Sequence, residues 1–428
     1  MNVPTEYRLP CKLALTLVLF AAFAVPKRCS AQSVQRGEWE DVLKQASADV
    51  QKNFYDPEMK GLDWSALTDE TRQRIGASGN VGQMILAISS LLDRLQDSHT
   101  YFIPPPLTAY SDFGFKAKAF GNDVRICEIE KKGPADKAGL QVGDAILSVN
   151  GVAVDRSNAQ EILRIVTAIA PSTAVDLVVV PPGTQARAVH IPAHLVTTQQ
   201  HRYIDSVWRV ADQQRARDVR VNFLHKEYDG KVSYIAIPSF TASQEVTYSE
   251  IERAKHARVL VLDLRGNHGG FLETVVGFLG FFTDHSTVLA KRVSRSPSQD
   301  LMINPRNSGF GGSTIILVDA DTASAAELVA RYLQLSGKAI VLGDATSGVV
   351  NEGHLIREKI GARFVMPFAT MVTTAKLVMS NGEELERRGV IPDEQCIPTA
   401  QDIIQGTDPC LEKALALAKK SMLHSDQH

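Results

Sequence analysis

From Lys231 to Asp344 the chain alternates short, almost wholly apolar runs with small-residue turns and helical stretches. KVSYIAIPSF (Lys231–Phe240) reads as a strand. ARVLVLDLRGNHGG (Ala257–Gly270) is an apolar strand that ends in a glycine-rich turn, and FLETVVGFLGFFTD (Phe271–Asp284) continues as a helix. STIILVDADTASAAELVARYLQLSG (Ser313–Gly337) repeats the strand–turn–helix unit before a further strand, KAIVLGD (Lys338–Asp344). Successive β-α-β units leave few options beyond a mainly parallel sheet with helices on its faces. Ligand sites in such sheets gather at the carboxyl ends of the strands. Both small-residue turns, Arg265–Gly270 and Asp319–Ala325, fall there.

The second turn sets a serine at the start of a helix. Ser324 precedes Leu328, Val329, Tyr332 and Leu333, which share one helical face. A hydroxyl becomes a nucleophile when a base takes its proton and donors hold the oxyanion. Helix N-termini offer free N–H groups and a positive dipole end, and Ala323, Ala325 and Ala326 leave room for a substrate backbone. Ser324 is equally placed to be an ordinary N-cap, unless Thr322 or Asp321 takes that role. Gly269 and Gly270 let a backbone N–H approach a carbonyl closely; one of them, with the N–H of Ala325, would form an oxyanion hole. An ordinary left-handed turn is the plainer reading of the two glycines.

The chain leading to this region has a different character. EWEDVLKQASADVQKNF sets Trp39, Val42, Leu43, Ala46, Val50 and Phe54 on one stripe, and VGQMILAISSLLDRLQDSHT does the same with Val81, Met84, Ile85, Ile88, Leu91, Leu92 and Leu95. Both match the period of amphipathic helices. The second ends near Asp97–Thr100, which sets His99 on a loop before the extended IPPP run. From Tyr110 to Leu195 short β-like runs surround one helical stretch, SNAQEILRIVTAI.

At the N-terminus Arg8 and Lys12 precede LALTLVLFAAFAV (Leu13–Val25), and Ala31 closes a small-residue cleavage pattern before Gln32. This predicts an export signal and a periplasmic or secreted protein; a short membrane anchor is the other reading. No later segment is apolar enough to span a bilayer. Cys11 and Cys29 would leave with the signal, and Cys127 lies in a strand-like run. Cys396 and Cys410 could pair in an oxidising compartment or stay as unpaired small residues. A net charge of -2 with no long basic run argues against nucleic acid as the main partner. The histidines show no metal-ligand spacing and no nucleotide fingerprint follows a strand, so neither a metal nor a cofactor is expected.

Two resemblances order these observations. GPADKAGLQVGDAILSVNGVAV resembles a PDZ domain. In that likeness DFGF (Asp112–Phe115) stands at the loop whose N–H groups, at Phe113, Gly114 and Phe115, would hold a chain-terminal carboxylate. The series LLDRLQDSHT, PDZ-like segment, VSYIAIPSF, LVLDLRGNHGG, TASAAE and LERRGVIPD resembles the C-terminal processing (tail-specific) peptidase family, with its tricorn-core-like and retinoid-binding-protein-like relatives. The resemblance implies Ser324 as nucleophile. It also implies an α/β chain with a crotonase/ClpP-like catalytic domain: a signal over 1–31, an N-terminal helical region over 32–106, a PDZ-like domain over 107–196 and a peptidase domain over 197–428.

One departure decides which branch it resembles. Bacterial and plastid members place a dyad lysine twenty-five positions after the serine, where this chain has Val349 in GDATSGVVNEG. Lys338 does not match that motif. The tricorn-like branch draws on a histidine from a DSHT-type motif and a glutamate before a G(V/I)xPD segment. Here these are His99, with Ser98 beside it, and Glu386, with Glu384 as second choice. His268 replaces the proline usual in the glycine turn, where it either shifts the turn or meets substrate. The implied activity is serine-type hydrolysis of flexible or unfolded polypeptide, with protein or peptide substrates as partners and oligomerisation left open. The alternative is a binding protein on the same fold, a peptide scaffold or an apolar-ligand carrier that has lost its base.

Overall fold

The computed structural model describes residues 36–105, 109–169, 172–197, 223–307, 309–361 and 366–425. The proposed signal and its cysteines, Cys11 and Cys29, lie outside the described residues. The stripe residues Trp39, Val42, Leu43, Ala46 and Val50 are buried along α1 (Arg36–Asn53), and Phe54 is buried just past its end. A second helix, α2 (Trp64–Ala77), packs on it, and Met84, Ile85, Ile88, Leu91 and Leu92 are buried along α3 (Val81–Asp93). No described helix is long and apolar enough to cross a membrane.

The chain divides into two compact units. One comprises Ala109–Thr197, clustered with Ser78–Met84. Its sheet runs β3 (Phe115–Phe120), β4 (Asp123–Ile129), β5 (Ala145–Val149), β7 (Ala174–Val180) and β8 (Arg187–Pro192), with β6 (Val152–Ala153) on β5 and a separate pair, β2 (Ala109–Asp112) with β9 (His194–Thr197). Helices α4 (Pro134–Lys137) and α5 (Ala159–Arg164) belong here. Phe113, Val124, Ile126, Leu140, Ile146 and Val175 are among its core residues.

The other unit takes in Arg36–Ala77, the described residues 85–105 and the chain from Phe223 on. Its first sheet has the order β10 (Leu224–Tyr228), β11 (Val232–Ala236), β12 (Val259–Asp263), β15 (Ser313–Val318), β16 (Ala339–Gly343) and β19 (Glu394–Gln395); every pairing but β10–β11 is parallel. The side-chain alternation of a strand explains the layers. Leu260 and Leu262 of β12 enter a core with α6 (Gln244–Ala254), α7 (Leu272–Leu279) and α8 (Ala325–Leu335). Val259 and Val261 face a second core with Ala414 and Ala418 of α10 (Pro409–Ser425), which follows the short α9 (Ala400–Gln405).

A second sheet is antiparallel: β1 (Tyr101–Ile103), β18 (Met366–Met379), β13 (Thr287–Val293) and β14 (Gln299–Ile303), with β17 (Glu352–Ile360) also paired to β18. Pairing of β1 with β18, Phe102 opposite Thr370, brings the His99 loop to the C-terminal half of the chain.

A disulfide joins Cys396 and Cys410. Bidentate bonds from Arg265 to Asp408, at 2.8 and 2.7 Å, tie the start of α10 to the end of β12.

Candidate active site

Ser324 occupies the N-cap position of α8 with φ 55° and ψ -127°. A left-handed φ at a residue with a side chain is strained and persists only where its surroundings fix it. Two neighbouring segments do so. The first is the glycine turn after β12, where Asn267 is fully buried. Its carbonyl accepts the Ala323 N–H at 2.9 Å, its Nδ2 donates to the Ile237 carbonyl at 2.8 Å, and its Oδ1 accepts the Gly269 N–H at 2.8 Å. Gly266 N–H donates to Asp319 Oδ1 at 3.0 Å. The Thr322 hydroxyl donates to the Leu264 carbonyl at 2.9 Å, so it stitches the two turns together rather than capping α8.

This arrangement separates the two glycines of the turn. The Gly269 N–H is engaged by Asn267, so it does not serve an oxyanion; Gly270 and Ala325 remain the candidates. Gly269 has a different importance. A Cβ at that position would lie 2.6 Å from Ser324 Cβ and 2.8 Å from the Ala325 nitrogen, and its φ of 92° already disfavours a side chain. His268 projects outward between the buried Asn267 and Gly269.

The second support is Glu327, three residues into the same helix and without solvent exposure. Its Oε2 accepts the N–H of Ser324 at 2.9 Å and of Val349 at 3.0 Å. Its Oε1 accepts the Gly348 N–H at 2.8 Å and the Thr346 hydroxyl. One buried carboxylate therefore binds the serine turn to the loop carrying Val349, whose backbone nitrogen lies within about two hydrogen-bond lengths of the Ser324 nitrogen. Burial pushes the Glu327 carboxyl up to about 7, against the pull of those four donors. Residue typing alone passed over Glu327, although the Ser-x-x-Glu spacing of a capping box was its signal. Lys338 is exposed beyond the far end of α8, roughly 16 Å of helix from Ser324.

The loop then turns to another acid. The N–H groups of Val350 and Asn351 donate to Glu386 Oε2 at 3.0 and 3.3 Å, and Glu386 Oε1 accepts the Ser98 N–H at 3.0 Å. Glu384 is half exposed and pairs with Lys376 at 2.6 Å, which separates the two glutamates left open by the sequence. Ser98 Oγ and His99 Nδ1 are 3.1 Å apart. With the proton on Nδ1 and the hydroxyl accepting it, Nε2 is left as the basic nitrogen. Asp97 holds the loop from beneath: its Oδ1 accepts the His99 N–H at 3.2 Å and the Thr373 hydroxyl of β18, and its Oδ2 accepts Asn351 Nδ2 at 3.3 Å. Gly353 of β17 lies against the imidazole, where a Cβ would meet His99 Cβ at 3.1 Å and Cδ2 at 3.2 Å. Desolvation lowers the His99 pKa, opposed by the carboxylates of Glu386 and Asp97. The ring is thus kept neutral, and able to accept a proton, at neutral pH.

Beside these segments lies a cleft of about 1110 Å³. Gly270 and Gly353 line it together with Leu272, Val276, Leu301 and Met302, and the Arg292–Glu352 ion pair, at 2.6 Å, forms part of its wall. Among the described residues no cluster of His, Cys, Asp and Glu is arranged to hold a metal ion. Phe113, Gly114 and Phe115 belong to the other unit, where Phe113 is buried in the core.

The strained serine stands at a strand-to-helix turn, beside glycines and a helix N-terminus, on a parallel sheet flanked by helices, and the comparisons with known proteins indicate a serine peptidase. Residues 231–396 match the model for peptidase family S41, residues 125–181 a PDZ domain and residues 35–82 the tricorn protease C1 domain. The chain carries a peptidase S41 domain over residues 231–396. It is 25% identical to the carboxy-terminal processing protease CtpA of Bacillus subtilis over 362 residues, 82% of this chain and 71% of that one. Identity is 26% to the carboxyl-terminal-processing protease of Synechocystis, over 64% of this chain and 59% of the relative. It is 24% to tricorn protease homolog 1 of Streptomyces coelicolor, over 89% of this chain but 35% of the relative. In fold the chain resembles mature CPAF complexed with lactacystin, with a TM-score of 0.68 at 14% identity, over 92% of this chain and 100% of that one. It also resembles the tricorn protease, with a TM-score of 0.51 at 16% identity, over 90% of this chain and 37% of that one.

Proposed function

We propose that this chain is an exported endopeptidase of flexible or unfolded polypeptides that works without the family's dyad lysine. Ser324 attacks the scissile carbonyl. His99 accepts the serine proton and later gives it to the leaving amine, as the base of a triad does. Ser98 and Glu386 position the imidazole, and the N–H groups of Gly270 and Ala325 hold the oxyanion, each such donor contributing on the order of 3 kcal/mol. The cleft beside Gly270 receives the extended substrate, and a further stretch of the same chain docks on the PDZ unit, at the loop assigned from sequence to chain ends. Docking raises the local substrate concentration without adding contacts at the reacting bond.

The observation that carries this reading is the pair of anchors on the loop of the absent lysine. Val349 is tied through Glu327 to Ser324, and its neighbour Val350 is tied through Glu386 to the segment bearing His99. An imidazole is therefore held beside the loop where an amine is missing. Export is supported by the apolar N-terminal run and by the Cys396–Cys410 bridge, a feature of oxidising compartments. A mature N-terminus at Gln32 is expected when the secreted protein is sequenced.

The test is hydrolysis of reduced, unfolded casein by the purified protein. Turnover that disappears in Ser324→Ala supports the enzyme. Equal turnover in the variant, or none in the wild type together with no covalent fluorophosphonate adduct, contradicts it and favours the binding protein.

A further inference from the structure

In the PDZ unit β3 is an outer strand. It pairs with β4 and, among the described residues, with no other strand, while α5 packs beside it. An extended polypeptide can add to such an edge, and loop N–H groups at its end can take a terminal carboxylate. The loop in that place here, Asp112–Phe115, already holds a carboxylate of its own. Asp112 Oδ1 accepts the Gly114 N–H at 2.9 Å. The loop is also pinned from its carbonyl side, because Ala135 and Glu130 donate their N–H groups to the carbonyls of Phe113 and Gly114 at 3.0 and 2.9 Å. Gly114 has φ 72°, and a Cβ there would strike Pro134 Cδ at 2.9 Å and come within 3.5 Å of Glu130 Oε2. The loop thus has little room to open, and the Asp112 carboxylate occupies the donor that a chain end would use.

A terminal carboxylate entering this loop would find the Gly114 donor engaged and would face like charge. A chain that continues, or ends in an amide, brings an N–H donor instead, which the Asp112 carboxylate can accept. We propose that the PDZ unit takes polypeptide segments without a free terminal carboxylate, and that Asp112 sets this preference. The inference rests on the reading of this unit as a substrate-docking site. It makes the protein a binder of internal segments rather than a reader of chain ends.

The experiment uses the full chain carrying Ser324→Ala, so that bound peptide is not cut. Fluorescence polarisation measures affinity for a short fluorescein-labelled peptide ending in Val-Val, as the free acid, as the amide, and with the chain continued by Gly-Ser-amide. The amide and continued forms are expected to bind at least about tenfold more tightly than the acid, a difference of about 1.4 kcal/mol. Asp112→Asn retains an acceptor oxygen for the Gly114 N–H and removes the charge, so it should raise affinity for the acid and narrow that gap to about twofold. Its urea midpoint, compared with the parent, shows that the loop still folds. Tighter binding of the acid, or equal binding of all three peptides unaffected by Asp112→Asn, overturns the selectivity while leaving docking intact. Failure of all three peptides to bind overturns docking, and this inference with it.

Discussion

Ser324 and Glu327 stand one helical turn apart, and the second determines where the first can sit. Glutamine at 327 would turn an amide NH₂ toward backbone donors that need an acceptor. A buried donor left without one costs about 1–3 kcal/mol, so Glu327→Gln should lower the urea-unfolding free energy by at least that much and slow peptide hydrolysis. The charge of Glu327 adds a pH signature. Its carboxyl is raised in the folded state to about 7, from an ordinary value of 4.5. The stabilisation from binding this proton is full below pH 4.5 and is lost as pH rises to about 7, by about 3 kcal/mol at most. Urea midpoints at pH 5 and pH 8 check this: the wild type should lose stability between them through this group, and the Glu327→Gln variant should lack that part of the slope. His99 has the opposite sign. Its folded pKa lies below the ordinary 6.5, so kcat/KM should be level at neutral pH and fall only on the acid side of about 6.5. A rate that declines from pH 8 to 7 in step with a single ionisation would contradict that assignment.

At the scale of elements, the site depends on strands that deliver loops. β1 pairs with β18 and brings the His99 segment in, β17 backs the imidazole with Gly353, and the turns after β12 and β15 lock into each other through Asn267 and Thr322. Gly353→Ala should press on the ring and lower kcat by about tenfold with an unchanged melting temperature, whereas Gly269→Ala, which sets a methyl against Ser324 Cβ, should abolish activity. Much of this is legible in the sequence. The apolar runs ending in small-residue turns specified the parallel sheet and the Ser324 turn, and the helix end expected near Asp97–Thr100 put His99 on a loop, although α3 already stops at Asp93. The antiparallel sheet was not legible, because its strands come from segments as far apart as Tyr101 and Met379 and their pairing leaves no local period. Nor was the engagement of the Gly269 N–H, since that bond depends on how the Asn267 side chain folds back within its own turn. Glu327 was visible only as a spacing; its partners at Gly348 and Val349 come from a loop about twenty residues further on and meet it only in the folded chain.

Over the whole molecule, α10 covers one face of the parallel sheet, and two bonds of different kinds hold its beginning. One is the Arg265–Asp408 pair and the other the Cys396–Cys410 disulfide, which closes a loop with a sequence separation of 14. A bridge over a loop of that length stabilises by about 3 kcal/mol, so Cys396→Ser with Cys410→Ser should lower the unfolding free energy by roughly that amount in urea titrations while leaving the serine turn able to react. Catalysis by this chain requires His99 to act as the base for Ser324, and the rate at which a fluorophosphonate labels Ser324 reads that relation without knowledge of any natural substrate. With His99 as base, His99→Ala should slow labelling by about 10²–10⁴-fold, and added imidazole should restore part of the lost rate. Labelling of Ser324 in His99→Ala at the wild-type rate would contradict it.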